Sequence, residues 1–379
     1  MKLNLKSIFK NPFRSRPSEQ PDWYLVGAVG FLVLFGLVML SSAGTALGWQ
    51  KFHDSYWYVK HQIIFGFLPG VLLFFFFSRF DYHRLKSLAV PFLIGSIALL
   101  VLVFIPGVGA KWGTSQSWIN VFGFSLQPSE IVKLSFLIYL ASWLANRGEH
   151  HLKDLHSGFI PFIFVLAIIT LLLIFQPDTG TMIIIVVTSL AVYFVAGGRL
   201  LHLSWLTVFG LGGLALLVKL SPYRAKRLTT FLHPELDPQG IGYHINQALL
   251  AVGSGGFWGK GFGHSRQKFA YLPQAYSDSI FAIIAEELGF LFSIFVVLVF
   301  LFLFFRGLKL IKNCRDQFGR MLVIGIITWF LFQAFLNIGG VIGILPMTGV
   351  PLPFISYGGT ALMTCLAAAG ILVNISKQA

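Results

Sequence analysis

The feature that most limits what this chain can fold into is a series of long runs with almost no charge. A membrane-crossing helix needs roughly 20 mostly apolar residues. Ten segments meet that demand: 23–43, 58–78, 88–105, 128–145, 159–175, 181–196, 203–220, 279–305, 321–337 and 354–375. Hydrophobic residues make up 56% of the 379-residue chain and Asp, Glu, Lys and Arg only 11%, too few charges to cover a soluble protein of this size. The expected fold class is an all-α polytopic membrane protein with about ten transmembrane helices. Residues 23–375 form the transmembrane domain, 1–22 a basic tail and 376–379 a short C-terminal end. Met1 to Pro21 has no apolar core, so no cleavable signal peptide is expected. Cys314 falls in a predicted loop and Cys365 in a predicted span, and neither placement favours a structural disulfide.

Loop charges set the orientation. If the N-terminus is cytoplasmic, seventeen Lys and Arg lie in cytoplasmic segments, from Lys2 to Lys377, against three at short outer loops, Lys51, Lys60 and Lys111. Both termini are therefore expected inside. The net charge of +14 is thus an orientation signal, not a nucleic-acid signal. One outer loop, residues 221–278 between helices 7 and 8, is too long for the charge rule and keeps its own basic cluster. Within it, Tyr243 to Leu250 reads as a short amphipathic helix on the membrane surface. A loop this long in a compact domain is usually functional. No internal repeat points to an inverted-repeat transporter.

The end of that loop, Gly253 to Gly289, concentrates the chemistry. A glycine-rich run carries Lys260, Arg266 and Lys268, the Tyr271-Leu272-Pro273 turn follows, and Asp278 stands where an apolar helix begins. Polar groups at a membrane boundary are costly and mark sites by default. Asp278 is the candidate catalytic residue, able to accept a proton if placed beside a hydroxyl; its ordinary alternative is an N-cap. Lys260, Arg266 and Lys268 are candidate phosphate ligands, since cations on a flexible loop suit a pyrophosphate. Gly259-Lys260-Gly261 is not a nucleotide loop, because Gly261 stands where Ser or Thr is required. Glu286 and Glu287 follow on the helix, and at least one of them should be structural.

Further candidates for substrate binding lie elsewhere. Glu130 and Lys133, three apart after Pro128, share a helix face and either pair structurally or reach a ligand. Asp178, in the turn Gln176-Pro177-Asp178, is a cap or a second acid. Ser356 lies in the uncharged Pro351-to-Gly359 segment, where irregular backbone at this depth must be buried or line a cavity. No zinc or haem ligand spacing is present.

Four of these stretches together resemble the SEDS family (FtsW, RodA and SpoVE): Gln127 to Glu130 with Lys133; Gln176 to Thr181; Leu272 through Asp278 to Gly289; and Pro351 to Gly359. Ser265 to Lys268 before Tyr271 looks closer to the division type than to RodA. Ser117, the two serines of Ser277-Asp278-Ser279, and Thr360 depart from residues usual in the family. The resemblance implies a peptidoglycan glycosyltransferase at the outer face of the bacterial cytoplasmic membrane, polymerising lipid II and releasing undecaprenyl pyrophosphate. It implies Asp278 as the essential acid and a divalent cation, Mg or Mn, as a possible cofactor. It implies a class B penicillin-binding protein transpeptidase and other divisome or elongasome membrane proteins as partners. A lipid II flippase and a divisome scaffold are the rival functions.

Overall fold

The computed structural model describes residues 20–112, 115–121 and 124–378. In chain order these form α1 (Trp23–Ala43), α2 (Thr45–Phe52), α3 (Trp57–Arg79) and α4 (Ala89–Leu102). Next come β1 (Gly109–Trp112), β2 (Ser115–Val121) and β3 (Phe124–Leu126), then α5 (Pro128–Leu152), α6 (Leu155–Phe175), α7 (Thr179–Val195) and α8 (Leu200–Leu220). The chain continues as α9 (Pro222–Leu232), α10 (Ile241–Ser254), α11 (Ile280–Asn313), α12 (Gln317–Val341) and α13 (Gly359–Ser376). Seven of the helices, α1, α3, α6, α8, α11, α12 and α13, are long and apolar enough to cross a membrane, and α4 and α7 are apolar but shorter. α5 is long but carries Glu130 and Lys133 near its start. Each of the ten apolar segments therefore holds a helix. Most of residues 1–22, and the side chain of Lys111, lie outside the described residues.

Helix boundaries follow local chemistry. Asp22 accepts the Leu25 N–H at 3.2 Å to start α1, and Asp316 accepts the Gly319 N–H at 2.8 Å to start α12. Within α3 the Leu68 N–H reaches back to the Ile63 carbonyl in one wide turn just before Pro69. Proline has no N–H and crowds the carbonyl four residues back, so widening the turn accommodates it. This helix then packs closely on α13, where a Cβ at Gly70 would stand 2.6 Å from Leu366 Cδ1. Small residues allow such approach between apolar helices.

α12 and α13 are buried along most of their length and form the centre of the bundle. α8 lies at the rim, with Val208, Phe209, Leu211, Leu216 and Leu220 exposed. One end of the bundle is tied by Arg306 Nε to Asp22 at 2.5 Å, the Tyr82 hydroxyl to Asp316, and Lys377 Nζ to the Ser78 carbonyl at 2.9 Å. The other end gathers the sheet, the starts of α7 and α11, α9, and the segment 342–358.

The sheet corrects the expectation of helices alone. β1, β2 and β3 form an antiparallel meander, with Ala110 opposite Trp118 and Asn120 opposite Ser125. The segment is too short and too polar to register as a span, which is why hydropathy passed over it. The amphipathic stretch 243–250 falls inside α10, whose Ile245, Ala248 and Ala251 are buried while Leu249 and Leu250 are exposed.

Candidate active site

α11 breaks at Gly289, whose φ of 76° and ψ of −174° suit glycine alone. Its break frees carbonyls that the glycine-rich loop then satisfies. Lys260 and Gly261 donate their N–H groups to the Glu286 and Glu287 carbonyls at 3.0 and 2.9 Å, and Phe290 donates to the Gly256 carbonyl at 3.0 Å. The side chains of both glutamates are fully buried and hold the same loop. Glu286 accepts from Lys260 Nζ (2.7 Å), Ser265 Oγ (2.5 Å) and the Arg266 and Gln267 N–H groups (3.2 and 3.3 Å). Glu287 accepts from Lys268 Nζ (3.0 Å), Ser42 Oγ (2.7 Å) and the Ser265 N–H (3.3 Å). Both acids are structural anchors. The loop is consequently a docked element, not the flexible cationic arm the sequence suggests. Lys268, 4% exposed, is turned inward, and Lys260 is paired, while Arg266 is exposed on the loop surface.

Asp278 closes the turn between this loop and α11. Its main chain is held by Asn337, whose amide donates to the Asp278 and Val350 carbonyls, each at 2.8 Å. The neighbouring Ser277 carbonyl accepts from Ser356 Oγ at 2.7 Å, and that hydroxyl also accepts the Leu352 N–H at 2.8 Å. Ser356 is thus buried as a clasp between two segments of the site. Asp278 itself is not the N-cap: Ser279 holds that position, and Asp278 Oδ1 is buried without a hydrogen-bond partner. The carboxylate lines a small recess with Ser279, Asn337 and the Met347-to-Val350 segment. Burial pushes its pKa up to about 6, opposed by a hydrogen bond from its own backbone N–H and, less, by the Arg227 guanidinium. His244 on α10 bonds to Ser279 Oγ at 2.6 Å, and burial, aided by Arg227, lowers its pKa to about 4, so the imidazole is neutral.

The other sequence candidates sit at the same end but in separate contacts. Lys133 Nζ pairs with Glu130 Oε1 at 2.8 Å, donates to Gln333 Oε1 at 2.7 Å and lies 4.9 Å from the Trp329 ring centroid. Both charges are buried, and Glu130 Oε2 has no hydrogen-bond partner. Asp178 caps α7 by accepting the Thr181 N–H at 3.1 Å and takes Ser129 Oγ at 2.8 Å, so it braces α5 against α7. Arg227 and His244, in the basic cluster and the amphipathic stretch of the outer loop, and Gln333 and Asn337 were not among the expected site residues. The last two, four apart on an otherwise apolar helix, carry the signal that could have found them: polar side chains inside a span.

The FtsW/RodA/SpoVE family model, described as a cell cycle protein, matches residues 22–379. The chain belongs to this family. It is 41% identical to stage V sporulation protein E of Bacillus subtilis (strain 168) over 94% of this chain and 97% of that protein. It is 39% identical to the probable peptidoglycan glycosyltransferase FtsW of Trichlorobacter lovleyi, covering 97% and 96%. Among solved structures it resembles a chain of a peptidoglycan synthase complex that coordinates polymerization and crosslinking (TM-score 0.76, 28% identity, 94% and 98% covered). It also resembles the rod shape determining protein RodA of Thermus thermophilus (TM-score 0.69, 27% identity, 94% and 97% covered). In this FtsW/RodA/SpoVE family member the helices described above make a multi-pass membrane protein. The residues expected to depart from the family pattern make local contacts. Ser117 is buried and donates to the Gln176 carbonyl at 3.0 Å, and Thr360 Oγ1 accepts the Gln127 N–H at 3.3 Å.

Proposed function

We propose that this protein is a peptidoglycan glycosyltransferase that polymerises lipid II at the outer face of the bacterial cytoplasmic membrane, in division or cell-shape maintenance. One observation carries the assignment of chemistry: the Asp278 carboxylate, one oxygen of which is buried without a hydrogen-bond partner, in a recess at the end of the bundle away from the Arg306 and Lys377 ties. The charge asymmetry of the loops supports an outward-facing recess. Glycosyl transfer from lipid II needs a group to take the proton of the attacking sugar hydroxyl. A carboxylate with a pKa near 6 is a stronger base than an ordinary aspartate yet still largely ionised at pH 7. Asn337 and Ser356 hold the backbone on either side of it, which fixes where the carboxylate stands.

Among the described residues no group of three or more His, Cys, Asp or Glu could cage a metal. The single free carboxylate oxygen suits a Mg- or Mn-type ion, which takes one or two carboxylates together with substrate phosphates. Asp278 would hold it, and the ion would supply charge neutralisation at the pyrophosphate. A class B penicillin-binding protein is the proposed partner, as the resemblance to a synthase complex supports.

The test is to give the purified protein, with and without that transpeptidase, labelled lipid II and to resolve glycan chains. Polymer supports the reading. Transfer of lipid II across vesicles without any polymer would replace it by transport.

A further inference from the structure

Most cations at this end of the bundle are neutralised where they stand, and Arg266 is exposed on the loop surface, outside the recess lining. Lys133 is paired with Glu130, Lys260 with Glu286, Lys268 with Glu287, and Lys226 with Asp237 at 3.2 Å. His244 is neutral at physiological pH. Arg224 is turned to the Ile174 carbonyl at 3.1 Å. A leaving pyrophosphate nevertheless demands positive charge close to the reacting carbon, because charge builds there as the bond breaks.

Arg227 stands in the right place. It projects from α9, half-buried, and its Nη1 donates to the Met347 carbonyl at 3.4 Å. Met347 begins the Met347-to-Val350 wall of the recess, and across that recess stands Asp278. Gly349 on this wall lies against the carboxylate, since a Cβ there would be 3.7 Å from Asp278 Oδ2. The guanidinium charge acts on both titratable groups beside the recess, Asp278 and His244. A guanidinium also carries five donors in a planar fork that matches phosphate oxygens.

We propose that Arg227, rather than Lys260 or Lys268, holds the pyrophosphate of the donor and stabilises it as the leaving group. This rests on the glycosyltransferase reading above. In that step the acceptor hydroxyl oxygen bonds to the anomeric carbon, and the bond from that carbon to the phosphate oxygen breaks. The bonding pair leaves on the pyrophosphate, beside Arg227, and the hydroxyl proton passes to Asp278. Segment 347–350 joins the two residues, so the base and the leaving-group cation are held at one recess by one strand of backbone.

The test uses full-length protein in detergent and inorganic pyrophosphate as the probe. Its binding is followed by calorimetry and by inhibition of lipid II polymerisation. Arg227→Gln should weaken pyrophosphate binding roughly 10-fold to 100-fold, the loss expected for a charge-assisted contact, and should lower kcat more than it raises KM. Arg227→Lys, which keeps the charge but not the fork, should recover part of both. Thermal melts of the two variants separate this role from a purely structural one. If Arg227→Gln melts lower but binds pyrophosphate as wild type does, Arg227 only pins Met347, and the proposal is overturned while polymerisation by the wild type still stands. If the wild type makes no polymer, the glycosyltransferase reading fails first and this assignment with it.

Discussion

Replacing Lys268 by Met removes one charge from a buried pair and leaves the other behind. Lys268 Nζ and Glu287 Oε1 are 3.0 Å apart, with side chains 4% and 0% exposed. At that separation and an effective dielectric of about 20, the attraction is about 5 kcal/mol. The loss is softened because Ser42 Oγ and the Ser265 N–H still donate to Glu287. Removing one partner of a buried pair costs roughly 3–5 kcal/mol, and the remaining donors place the expected cost near about 3. Heat denaturation in detergent should therefore show a large loss for Lys268→Met. The Lys268→Met/Glu287→Gln double variant should lose less than the sum of the single losses, as for any directly coupled pair. Lipid II binding by the fraction that remains folded should be unchanged. A Lys268→Met protein as heat-stable as wild type, but binding lipid II more weakly, would return Lys268 to the substrate site and refute the anchoring argument.

Three shorter expectations follow from the same geometry. Asp278 binds its proton more tightly when folded, with a pKa of about 6 against an ordinary 3.8. That contribution favours folding below about pH 4 and is lost as pH rises through about 6. Asp278→Asn should therefore melt higher than wild type at pH 8, by up to about 3 kcal/mol, with no gain at pH 4, while wild-type polymerisation falls as pH drops below 6; equal melts at pH 8 would mean the carboxylate is not buried as described. Gly289→Ala places a Cβ on Gly259 N and forces a backbone conformation that only glycine tolerates, so it should yield almost no monodisperse protein by size exclusion; normal yield would mean the loop does not dock on the α11 break. A cysteine at Ser221 should react with an impermeant thiol reagent in intact cells and one at Ser157 should not; the reverse pattern would invert the topology.

Helical architecture was legible because lipid and apolar neighbours leave a sequence few options, and each of the ten apolar runs holds a helix. Asp278 was legible for the same reason, as a charge where charge is costly. The lysines misled because sequence shows their sign but not their partners. Glu286 and Glu287 lie 26 and 19 residues from Lys260 and Lys268, and only the break at Gly289 brings the loop back onto them. The structural contact of Ser356 was hidden in a similar way, its hydroxyl donating to the Ser277 carbonyl 79 residues away. Arg227 was hidden because its contact, the Met347 carbonyl, is 120 residues distant and carries no side-chain signature. The sheet at 109–126 was hidden because its strands are short and its partners form one local meander.

On the proposed function, Asp278 takes the proton from the attacking hydroxyl. The direct measurement is the rate of lipid II polymerisation by purified Asp278→Asn, beside its lipid II and transpeptidase binding. Asn fills the same volume and makes no cap that the change could break, so the protein should fold, insert and bind. Its amide takes up no proton at neutral pH, and a lost general base costs roughly 10²–10⁴-fold. Binding should be normal and polymerisation reduced at least about 100-fold. Polymerisation above about a tenth of the wild-type rate, well outside that range, would contradict it and move the search for the essential acid to Glu130 and Asp178.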